Sequence, residues 1–486
     1  MIRGTAVNRI EKIYDHALLI LEEVGIDLKH AGAIALVKEN GVRTRGERAF
    51  FTRDQICRCI DRAPSAFTLR AANPAFDTRI GEGNNRFVSS YGCPTVYEMG
   101  ASRPATLLDY VRFAKLVHQC DHFSINGGIL VQPAEIPAER SHLIMLYAAM
   151  RTSDKCLMGT PGPEHRMEEI MEMAAILAGG KAQLENAHRI LTIISTISPL
   201  VLDETALGSI LVSARYKQPL IISPGPAAGT TGPIDLAGNI GLATAEALAA
   251  IAVAQMARPG VPVIFGLHCF GADMTTANIS IGSPAYALQA KYTAKLARML
   301  NLPSRCGGCN TDALCVSPQS GYESMLSMLT ACENKVDLIV HAAGVMDSYA
   351  AVSYEKWITD VEIMDMVDYY LKALEVNDDT LNIDLVKEVG PGGHFLTSTD
   401  TLKKCRTDSW TPGIGVRGNI DRGMALDLYY RNISTRLRQM LMEYNPPDLD
   451  TDLADKLTGF MKARGVPETI LTQIDTYITQ NEETLL

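Results

Sequence analysis

The chain has 486 residues and a formal net charge of −10, with 45 Lys and Arg against 55 Asp and Glu. Hydrophobic residues make up 47% and charged residues 21%, which is typical of a globular protein whose core needs no disulfide or metal for stability. The acidic balance argues against nucleic acid as a partner, because phosphate binding requires a basic surface.

The N-terminus lacks the apolar run of a signal peptide, and the eleven cysteines are irregularly spaced. These features predict a cytoplasmic protein with reduced thiols. The most apolar stretch, residues 242–257, is rich in alanine and interrupted by Glu246. Because it is too short for a membrane span, we expect a buried helix and no membrane contact.

Residues 1–85 are predicted to form an N-terminal α+β cap without obvious chemistry. Residues 7–24 carry apolar side chains at helical spacing, and Gly25 ends the pattern. Two further short helices and two short strands are expected, the helices over residues 31–38 and from Thr52, the strands over 66–72 and 76–80.

Between residues 86 and 380, short β-prone runs alternate with amphipathic helical stretches. The runs cover residues 87–91, 123–126, 156–159, 190–196, 219–223, 262–267, 303–307 and 338–342. The helical stretches cover 107–120, 138–151, 164–178, 204–217, 240–257, 285–300, 322–335 and 354–374. Eight such units close a parallel α/β barrel, the (β/α)8 or TIM barrel. A doubly wound open sheet is the alternative, but no nucleotide-binding fingerprint follows the first strand.

Residues 381–486 are predicted to contain a Gly-rich loop, residues 389–396, followed by a helical C-terminal extension. The loop holds His394, which no apolar pattern requires there, so a role at a site or gate is favoured slightly over a structural one. The acidic stretch 448–455 is interpreted as a linker or a solvated face.

In a (β/α)8 barrel the functional residues lie at the C-terminal ends of the strands. The predicted ends carry few carboxylates and no Lys/Arg cluster, which argues against a phosphate substrate. His268 and His341 each follow an apolar run, where an interior hydrogen-bonded histidine is an equal alternative to a site residue. Glu323 and Glu355 lie near helix starts, where a carboxylate also complements the helix dipole.

Four tyrosines lie in or beside the predicted top-face loops, namely Tyr91, Tyr97, Tyr322 and Tyr349. A set of aromatic side chains suits a quaternary ammonium, because ring faces attract a cation that cannot donate a hydrogen bond. For any single tyrosine, ordinary packing is the competing explanation.

Cys306 and Cys309 form a CxxC pair in the loop after the seventh strand. Zinc would need two further ligands, for which Cys315, His268 and Cys269 are candidates. We favour the alternative that small thiols pack against glycine at a crowded strand end, and we expect no metal.

Several motifs follow one another along the chain: Tyr91-Gly-Cys-Pro94, residues 224–233, Thr311-Asp312, Pro318-Gln-Ser-Gly-Tyr-Glu323 and residues 390–396. Together they resemble the trimethylamine methyltransferase superfamily over about residues 1–435. The resemblance implies a (β/α)8 barrel that moves a methyl group from an amine to Co(I) of a corrinoid (cobalamin) carried by a small partner protein. Since residues 305–323 are all standard amino acids, the chain is similar to the branch without pyrrolysine. That branch acts on quaternary amines such as glycine betaine, proline betaine, carnitine and γ-butyrobetaine.

A quaternary amine leaves as a neutral tertiary amine, so the implied reaction needs no catalytic acid or base, only a pocket that aims one methyl group. Our candidate substrate-binding residues are Tyr91, Tyr97, Asn126, His268, Asn310, Asp312, Gln319, Tyr322, Glu323, His341, Glu355 and His394. Those expected to donate hydrogen bonds to a betaine carboxylate are His268, His341, His394, Asn126 and Asn310.

Two other functions remain open. One is a zinc-dependent barrel methyltransferase that uses Cys309, Cys315 and His268 on another substrate. The other is a non-catalytic homologue that binds a betaine or the corrinoid protein without turnover. In each case we expect a homo-oligomer.

Overall fold

The computed structural model describes residues 6–98, 100–273, 275–276 and 278–480. At its centre eight parallel strands form a closed barrel. They are Arg86–Val88 (β1), Phe123–Gly127 (β2), Cys156–Gly159 (β3), Ile190–Ile194 (β4), Leu220–Ile222 (β5), Val263–Phe265 (β6), Arg305–Gly307 (β7) and Leu338–Val340 (β8). Neighbours in this order pair in parallel, β8 pairs with β1, and a bridge between Phe265 and Ser304 closes the circle. The predicted barrel is confirmed.

The helices between the strands form the outer layer of the barrel. They are Leu107–Gln119 (α1), Ser141–Thr152 (α2), Glu164–Ala178 (α3), Glu204–Arg215 (α4), Leu236–Ala257 (α5), Pro284–Met299 (α6), Pro318–Glu333 (α7) and Tyr354–Leu371 (α8), with the short helix Lys181–Glu185 after α3. Helix α7 begins four residues before the predicted start. The reason is that Ser317 caps it and Pro318 occupies its first turn, where proline has the helical φ and needs no hydrogen bond.

The N-terminal cap packs helices on a small sheet that also includes part of the barrel chain. Its helices are Ala6–Leu19, which continues as the π-helical turn Ile20–Val24, Ala31–Glu39 and Arg53–Ile60. Its sheet joins Ile26–Leu28, Arg43–Arg45 and Arg48–Phe50 to Val201–Leu202, which lies in the loop after β4. The cap is therefore anchored to the same end of the barrel at which the strands finish.

A hairpin closes the opposite end of the barrel. Its strands Phe67–Leu69 and Thr78–Ile80 are antiparallel, with the 3-10 turn Pro74–Phe76 between them. Their apolar side chains share one core with inward-facing residues of the barrel strands, including Ile125, Leu191 and Leu338. With one end plugged in this way, a small molecule can reach the barrel interior only from the C-terminal ends of the strands.

Helix α5 is buried between the cap and the barrel. It packs against the cap helices Ala6–Leu19 and Arg53–Ile60 and against α4. Among the described residues it is the one helix long and apolar enough to cross a membrane, and 89% of that apolar window is buried inside the protein. The expectation of a buried helix for this stretch is confirmed.

Two small sheets lie over the C-terminal end of the barrel. One contains four strands, Thr95–Glu98, Ala101–Pro104, Val345–Met346 and Ala351–Ser353. The last two strands belong to the loop after β8 and are joined by the 3-10 turn Asp347–Tyr349. The other pairs Gly271–Ala272 with Ile279–Ser280. Because their strands come from the loops after β1, β6 and β8, these sheets hold three loops of the barrel mouth in fixed positions.

The C-terminal extension is largely helical, as predicted. It contains Asp378–Leu381, Ile383–Val389, Thr399–Lys404, the 3-10 turn Arg422–Met424, Ala425–Met442, Thr451–Ala463 and Glu468–Thr479. The last three helices pack on the outside of the barrel. Ala425–Met442 packs against α8 and α1, Thr451–Ala463 against α3, and Glu468–Thr479 against α1 and α2. They cover the barrel wall and leave its mouth open.

Candidate active site at the mouth of the barrel

The guanidinium of Arg305 is fully buried at the centre of the mouth. Arg305 begins β7, but its side chain reaches the residues that follow β5, β6 and β8. Nη1 donates to Ser223 Oγ at 3.0 Å and to His268 Nδ1 at 2.9 Å, and Nη2 donates to His341 Nδ1 at 3.3 Å. Nε is buried without a partner. Among the described residues its partners are thus one hydroxyl and two imidazoles, and none is a carboxylate.

These contacts determine the protonation of both histidines. Arginine has only donors, so Nδ1 of His268 and of His341 must accept, and each neutral ring carries its proton on Nε2. Burial and then the charge of Arg305 hold the pKa of His268 well below its usual 6.5, and the same two causes act on the pKa of His341. Neither histidine is a cation at neutral pH.

Two tyrosines and an asparagine complete the hydrogen bonds around His268. Tyr286 Oη, from α6, lies 3.0 Å from His268 Nδ1, and Tyr349 Oη lies 2.7 Å from His268 Nε2. Asn310 Nδ2 donates to Tyr349 Oη at 3.2 Å. Burial raises the pKa of both phenols, so they too stay neutral. Every titratable ring in this network is therefore uncharged.

The loop that carries Tyr349 has a strained backbone. Asp347, Ser348 and Tyr349 have φ values of 51°, 49° and 76°, and His341, just after β8, has a φ of 60°. L-residues rarely adopt this left-handed region, and each such residue costs on the order of 1 kcal/mol. Surrounding contacts must hold this loop in place, and they aim Tyr349 at His268.

Aromatic rings surround the histidines on the side of the opening. The centroid of Tyr349 lies 4.7 Å from that of His341 and 6.3 Å from that of Phe270, and Phe270 lies 4.7 Å from His268. Tyr91 lies 6.4 Å from His341, and its Oη is buried without a partner. The mouth thus has neutral aromatic walls above a single buried cation.

Two carboxylates beside the mouth are used to hold its loops. Asp312 accepts hydrogen bonds from Ser280 Oγ, the Ile281 and Gly282 amides and Ser348 Oγ, at 2.7 to 3.0 Å. It thereby joins the loops after β6, β7 and β8. Glu323 accepts from Thr311 Oγ1, the Asp312 amide and Gln319 Nε2. These bonds fix the β7 loop, which carries Asn310.

A buried ion pair supports the same loop from behind. Lys356 Nζ lies 2.6 Å from both carboxylate oxygens of Asp360, and both side chains are fully buried. The ammonium also donates to the Cys309 carbonyl and to Ser324 Oγ. The pair therefore joins α8 to the middle of α7 and to the β7 loop.

The structure brings four of the predicted site residues together at the mouth: Tyr91, His268, Asn310 and His341. Asp312 lies in the loop after β7, and Gln319 and Glu323 lie in the first two turns of α7, with the contacts described above. The other five lie elsewhere. Asn126 is buried in the barrel wall, where its side chain bonds the Ala114 carbonyl and the Gly127 amide.

The remaining four predicted residues are on the outside. Tyr97 and Glu355 line a separate cavity of about 330 Å³ with Tyr430. Tyr322, near the start of α7, is 64% exposed, and His394 is exposed in the Gly-rich loop.

Arg305, Ser223, Phe270 and Tyr286 also belong to the mouth, although none of them was among the candidate substrate-binding residues. Arg305 lies in the middle of the predicted strand 303–307, and the position in a strand does not show that its guanidinium reaches the strand ends. The one sequence signal for Arg305 was that a single arginine stands before a run of small residues, Cys306 to Cys309, in an otherwise apolar strand. Tyr286 follows a Ser-Pro helix start, and nothing in its pattern separates it from a core residue.

The cysteines of the β7 loop do not form a metal site. Cys306 and Cys309 are buried, whereas Cys315 is exposed. Throughout the described ranges, no three His, Cys, Asp or Glu side chains converge in a way that could hold a metal ion. Burial raises the pKa of the Cys306 thiol to about 12, as expected for a packed, protonated side chain.

Comparison with known proteins gives consistent matches. The sequence model of the family described as trimethylamine methyltransferase (MTTB) matches residues 4–467. The chain is 38% identical over 460 residues to the glycine betaine methyltransferase of Desulfitobacterium hafniense (strain Y51), covering 94% of this chain and 96% of that protein. It is 27% identical to the proline betaine:corrinoid methyltransferase of Eubacterium limosum, covering 82% and 84%. The crystal structure of the hydroxylamine MtmB complex covers 90% of this chain and 88% of its own, with a TM-score of 0.52 and 12% identity, a similarity of fold.

Replacing Asp312 by alanine should loosen the mouth. The change leaves two backbone amides and two hydroxyls without their acceptor, and we expect a loss of about 2 to 3 kcal/mol of stability. Thermal unfolding should shift to lower temperature, and limited proteolysis should cut faster between residues 270 and 283. Asp273→Ala is the matched control, because that exposed carboxylate bonds Thr275 and Thr276 of its own turn and forms no hydrogen bond to another loop of the described chain. Equal proteolysis of the two variants would contradict the anchoring role.

Proposed function

The chain belongs to the trimethylamine methyltransferase (MTTB) family, and we propose that it transfers a methyl group from a quaternary amine to the cobalt of a corrinoid carried by a separate protein. The observation that carries the proposal is the neutral, aromatic mouth of the barrel. Its histidines and tyrosines are held uncharged, and its nearby carboxylates are occupied by loop hydrogen bonds. Such a site suits a substrate that needs no proton transfer.

A quaternary ammonium meets that condition because it already carries the charge that makes it a good leaving group. When the C–N bond breaks, nitrogen keeps the electron pair and departs as a neutral tertiary amine. The rings of Tyr91, Phe270 and Tyr349 would attract the ammonium through their electron-rich faces. Their fixed positions, together with exclusion of water from the mouth, would aim one methyl group outward.

The corrinoid supplies the Co(I) nucleophile that accepts the methyl group. The face that would meet it carries three exposed apolar side chains in the loops after β4, β5 and β7: Ile197, Ile234 and Leu314 are 54%, 65% and 70% exposed. Large exposed apolar side chains around an opening favour contact with another macromolecule. This apolar rim fits a corrinoid presented by a partner protein, with the mouth between the rim residues left for the amine.

We also propose that the protein is cytoplasmic. All eleven cysteines are free thiols, and this supports a reducing compartment.

The segment 374–402 supports a homo-oligomer. Its helices Asp378–Leu381, Ile383–Val389 and Thr399–Lys404 bury no residue, while Leu374, Leu396 and Leu402 are each more than 75% exposed. The segment has exposed apolar residues and no core of its own. Such a surface suits a self-complementary contact with a second copy of this chain. Light scattering should give a mass of at least two chains, each of 52.8 kDa. Changing the three leucines to serine should lower it to the monomer, and a monomeric wild-type protein would reject this proposal.

The methyl-transfer activity can be tested with free Co(I) cobalamin as the acceptor. We expect methylcobalamin and an equimolar amount of tertiary amine from glycine betaine or from proline betaine, carnitine or γ-butyrobetaine. Trimethylamine should give none, because its nitrogen leaves as a neutral amine only while it stays protonated. Among the described residues of the mouth, the carboxylates that could hold that proton are occupied by loop hydrogen bonds. Binding of these amines without turnover would favour a non-catalytic homologue. Loss of turnover after chelation, restored by zinc, would favour a zinc-dependent barrel enzyme.

Tyr349 provides a test of the aromatic wall. Tyr349→Leu removes the ring face, and a cation–π contact of about 0.5 to 2 kcal/mol predicts a roughly 2- to 30-fold lower kcat/KM. Tyr349→Phe keeps the ring and should lose less. Tyr370→Leu is the control, since that tyrosine is 66% exposed on α8. Steady-state kinetics decide the outcome, and wild-type kinetics for Tyr349→Leu would exclude an ammonium contact at this ring.

A further inference from the structure

A second cavity lies outside the mouth, where a small sheet, helix α8 and the C-terminal extension meet. Its volume is about 330 Å³, and it is lined by Tyr97, Gly100, Val316, Glu355, Tyr430 and Ser434. None of these residues takes part in the network around Arg305, so this tyrosine cavity is a space separate from the mouth. Its volume is at the lower end of the range for small-molecule sites, about 300 to 1,000 Å³.

Backbone pairing and two hydrogen bonds hold the polar lining of the tyrosine cavity. Tyr97 lies opposite Ser353 in the small sheet over the barrel. Ser353 Oγ donates to Glu355 Oε2 at 2.6 Å, so one residue positions both Tyr97 and Glu355. Tyr430 comes from the C-terminal extension, and its Oη donates to the Val316 carbonyl at 3.2 Å. Side chains fixed in this way lose little conformational entropy when a ligand binds.

The environment of the tyrosine cavity is acidic. Burial is the largest cause that raises the pKa of Tyr97, and Cys315, Glu355 and Tyr430 raise it further. Glu355 is a carboxylate, and the other two groups can acquire only a negative charge. The arginine nearest to Tyr97 in the sequence, Arg103, is paired with two carboxylates. The charges around the cavity therefore favour a cation over an anion.

The lining also indicates which kind of cation fits. The faces of two phenol rings attract a cation that cannot donate a hydrogen bond, and a carboxylate beside them supplies the opposite charge. A metal ion would need several oxygen ligands, whereas Glu355 is the one carboxylate among the lining residues named above. A ligand that carried its own carboxylate would be repelled by Glu355. These conditions are met by an organic cation without an acidic group.

We propose that the tyrosine cavity is a second binding site, selective for small organic cations such as tetramethylammonium and distinct from the site of methyl transfer. Tyr97, Glu355 and Tyr430 are its ligand-binding residues. The strand Ala351–Ser353, which pairs with the strand of Tyr97, follows directly on the turn that carries Tyr349. A cation bound here therefore stabilises a loop of the mouth without entering it.

Binding can be measured on the wild-type protein alone, without a corrinoid. Isothermal titration calorimetry should detect tetramethylammonium, and the melting temperature should rise with its concentration, because a ligand that binds the folded state stabilises it. Sodium at equal ionic strength is the control for charge screening. If tetramethylammonium gives neither heat of binding nor a shift in melting temperature, the proposal is rejected.

Variants of the lining test the two kinds of contact. Tyr430→Leu should weaken tetramethylammonium binding about 2- to 30-fold, the range for one cation–π contact, and Tyr430→Phe should lose less. Glu355→Gln should weaken it about 2- to 5-fold, with a smaller effect at high salt, as for a partly exposed charge pair. Tyr370→Leu and Glu333→Gln are the matched controls, because both residues are exposed and Glu333 ends α7. A folded variant with both lining changes and wild-type affinity would exclude the cavity as the site.

The position of the cation can be observed directly with an arsenic analogue. Tetramethylarsonium has the charge and shape of tetramethylammonium and contains an anomalous scatterer. In crystals soaked with it we expect an arsenic peak between Tyr97, Glu355 and Tyr430. An arsenic peak in the mouth alone would overturn the proposal. Arsenobetaine, which adds a carboxylate, should give no peak in the cavity, and a peak there would reject the selectivity for simple cations.

This site and the methyl-transfer activity can fail independently. Loss of all turnover with quaternary amines would reject methyl transfer and leave the binding measurements unaffected. Absence of arsenic from the cavity in an active enzyme would reject the second site alone. Should the Tyr430 and Glu355 variants not fold, the arsenic position in wild-type crystals decides the question.

Discussion

A guanidinium enclosed by neutral side chains determines the chemistry of this barrel mouth. Because Arg305 can only donate, it forces Nδ1 of His268 and of His341 to accept, and its charge opposes protonation of both rings. Tyr286 and Tyr349 form hydrogen bonds to His268 as neutral phenols. The histidines, which would normally suggest acid–base catalysis, become fixed hydrogen-bonding walls. The same charge, lacking a carboxylate partner in the described chain, leaves the site with an affinity for anions.

The loops around this centre are rigid for a different reason. Asp312 joins three loops, Glu323 fixes the β7 loop from the side of α7, and the buried pair of Lys356 and Asp360 holds it from behind. These bonds keep the strained residues 347–349 in the left-handed region of φ. A site that acts by orientation needs such support, since a displacement of about 1 Å can remove much of the benefit of positioning. The carboxylates nearest the mouth therefore serve its geometry.

The sequence was sufficient for the architecture and for part of the site. Eight alternating strand and helix signals define the barrel, because a parallel strand buried on both faces and an amphipathic helix each have a distinctive pattern. Residues that directly follow strands, such as His341, could be located by the same logic. Asn126 shows its limit, since the strand end does not reveal whether a side chain points into the mouth or into the wall. Arg305 shows a second limit of sequence analysis. Its backbone begins one strand, but its long side chain places the charge beside the ends of three other strands.

For a quaternary amine that also carries a carboxylate, the charge of Arg305 would bear on the reaction itself. In the bound substrate the ammonium lies near a second positive charge, and the two repel each other. As the C–N bond breaks, the positive charge leaves the nitrogen and this repulsion disappears, whereas the carboxylate contact is unchanged. An interaction that is unfavourable in the ground state and relieved in the transition state lowers the barrier, while the carboxylate contact supplies the binding energy that offsets it. Binding and activation would then come from the two ends of one zwitterion and a single buried arginine.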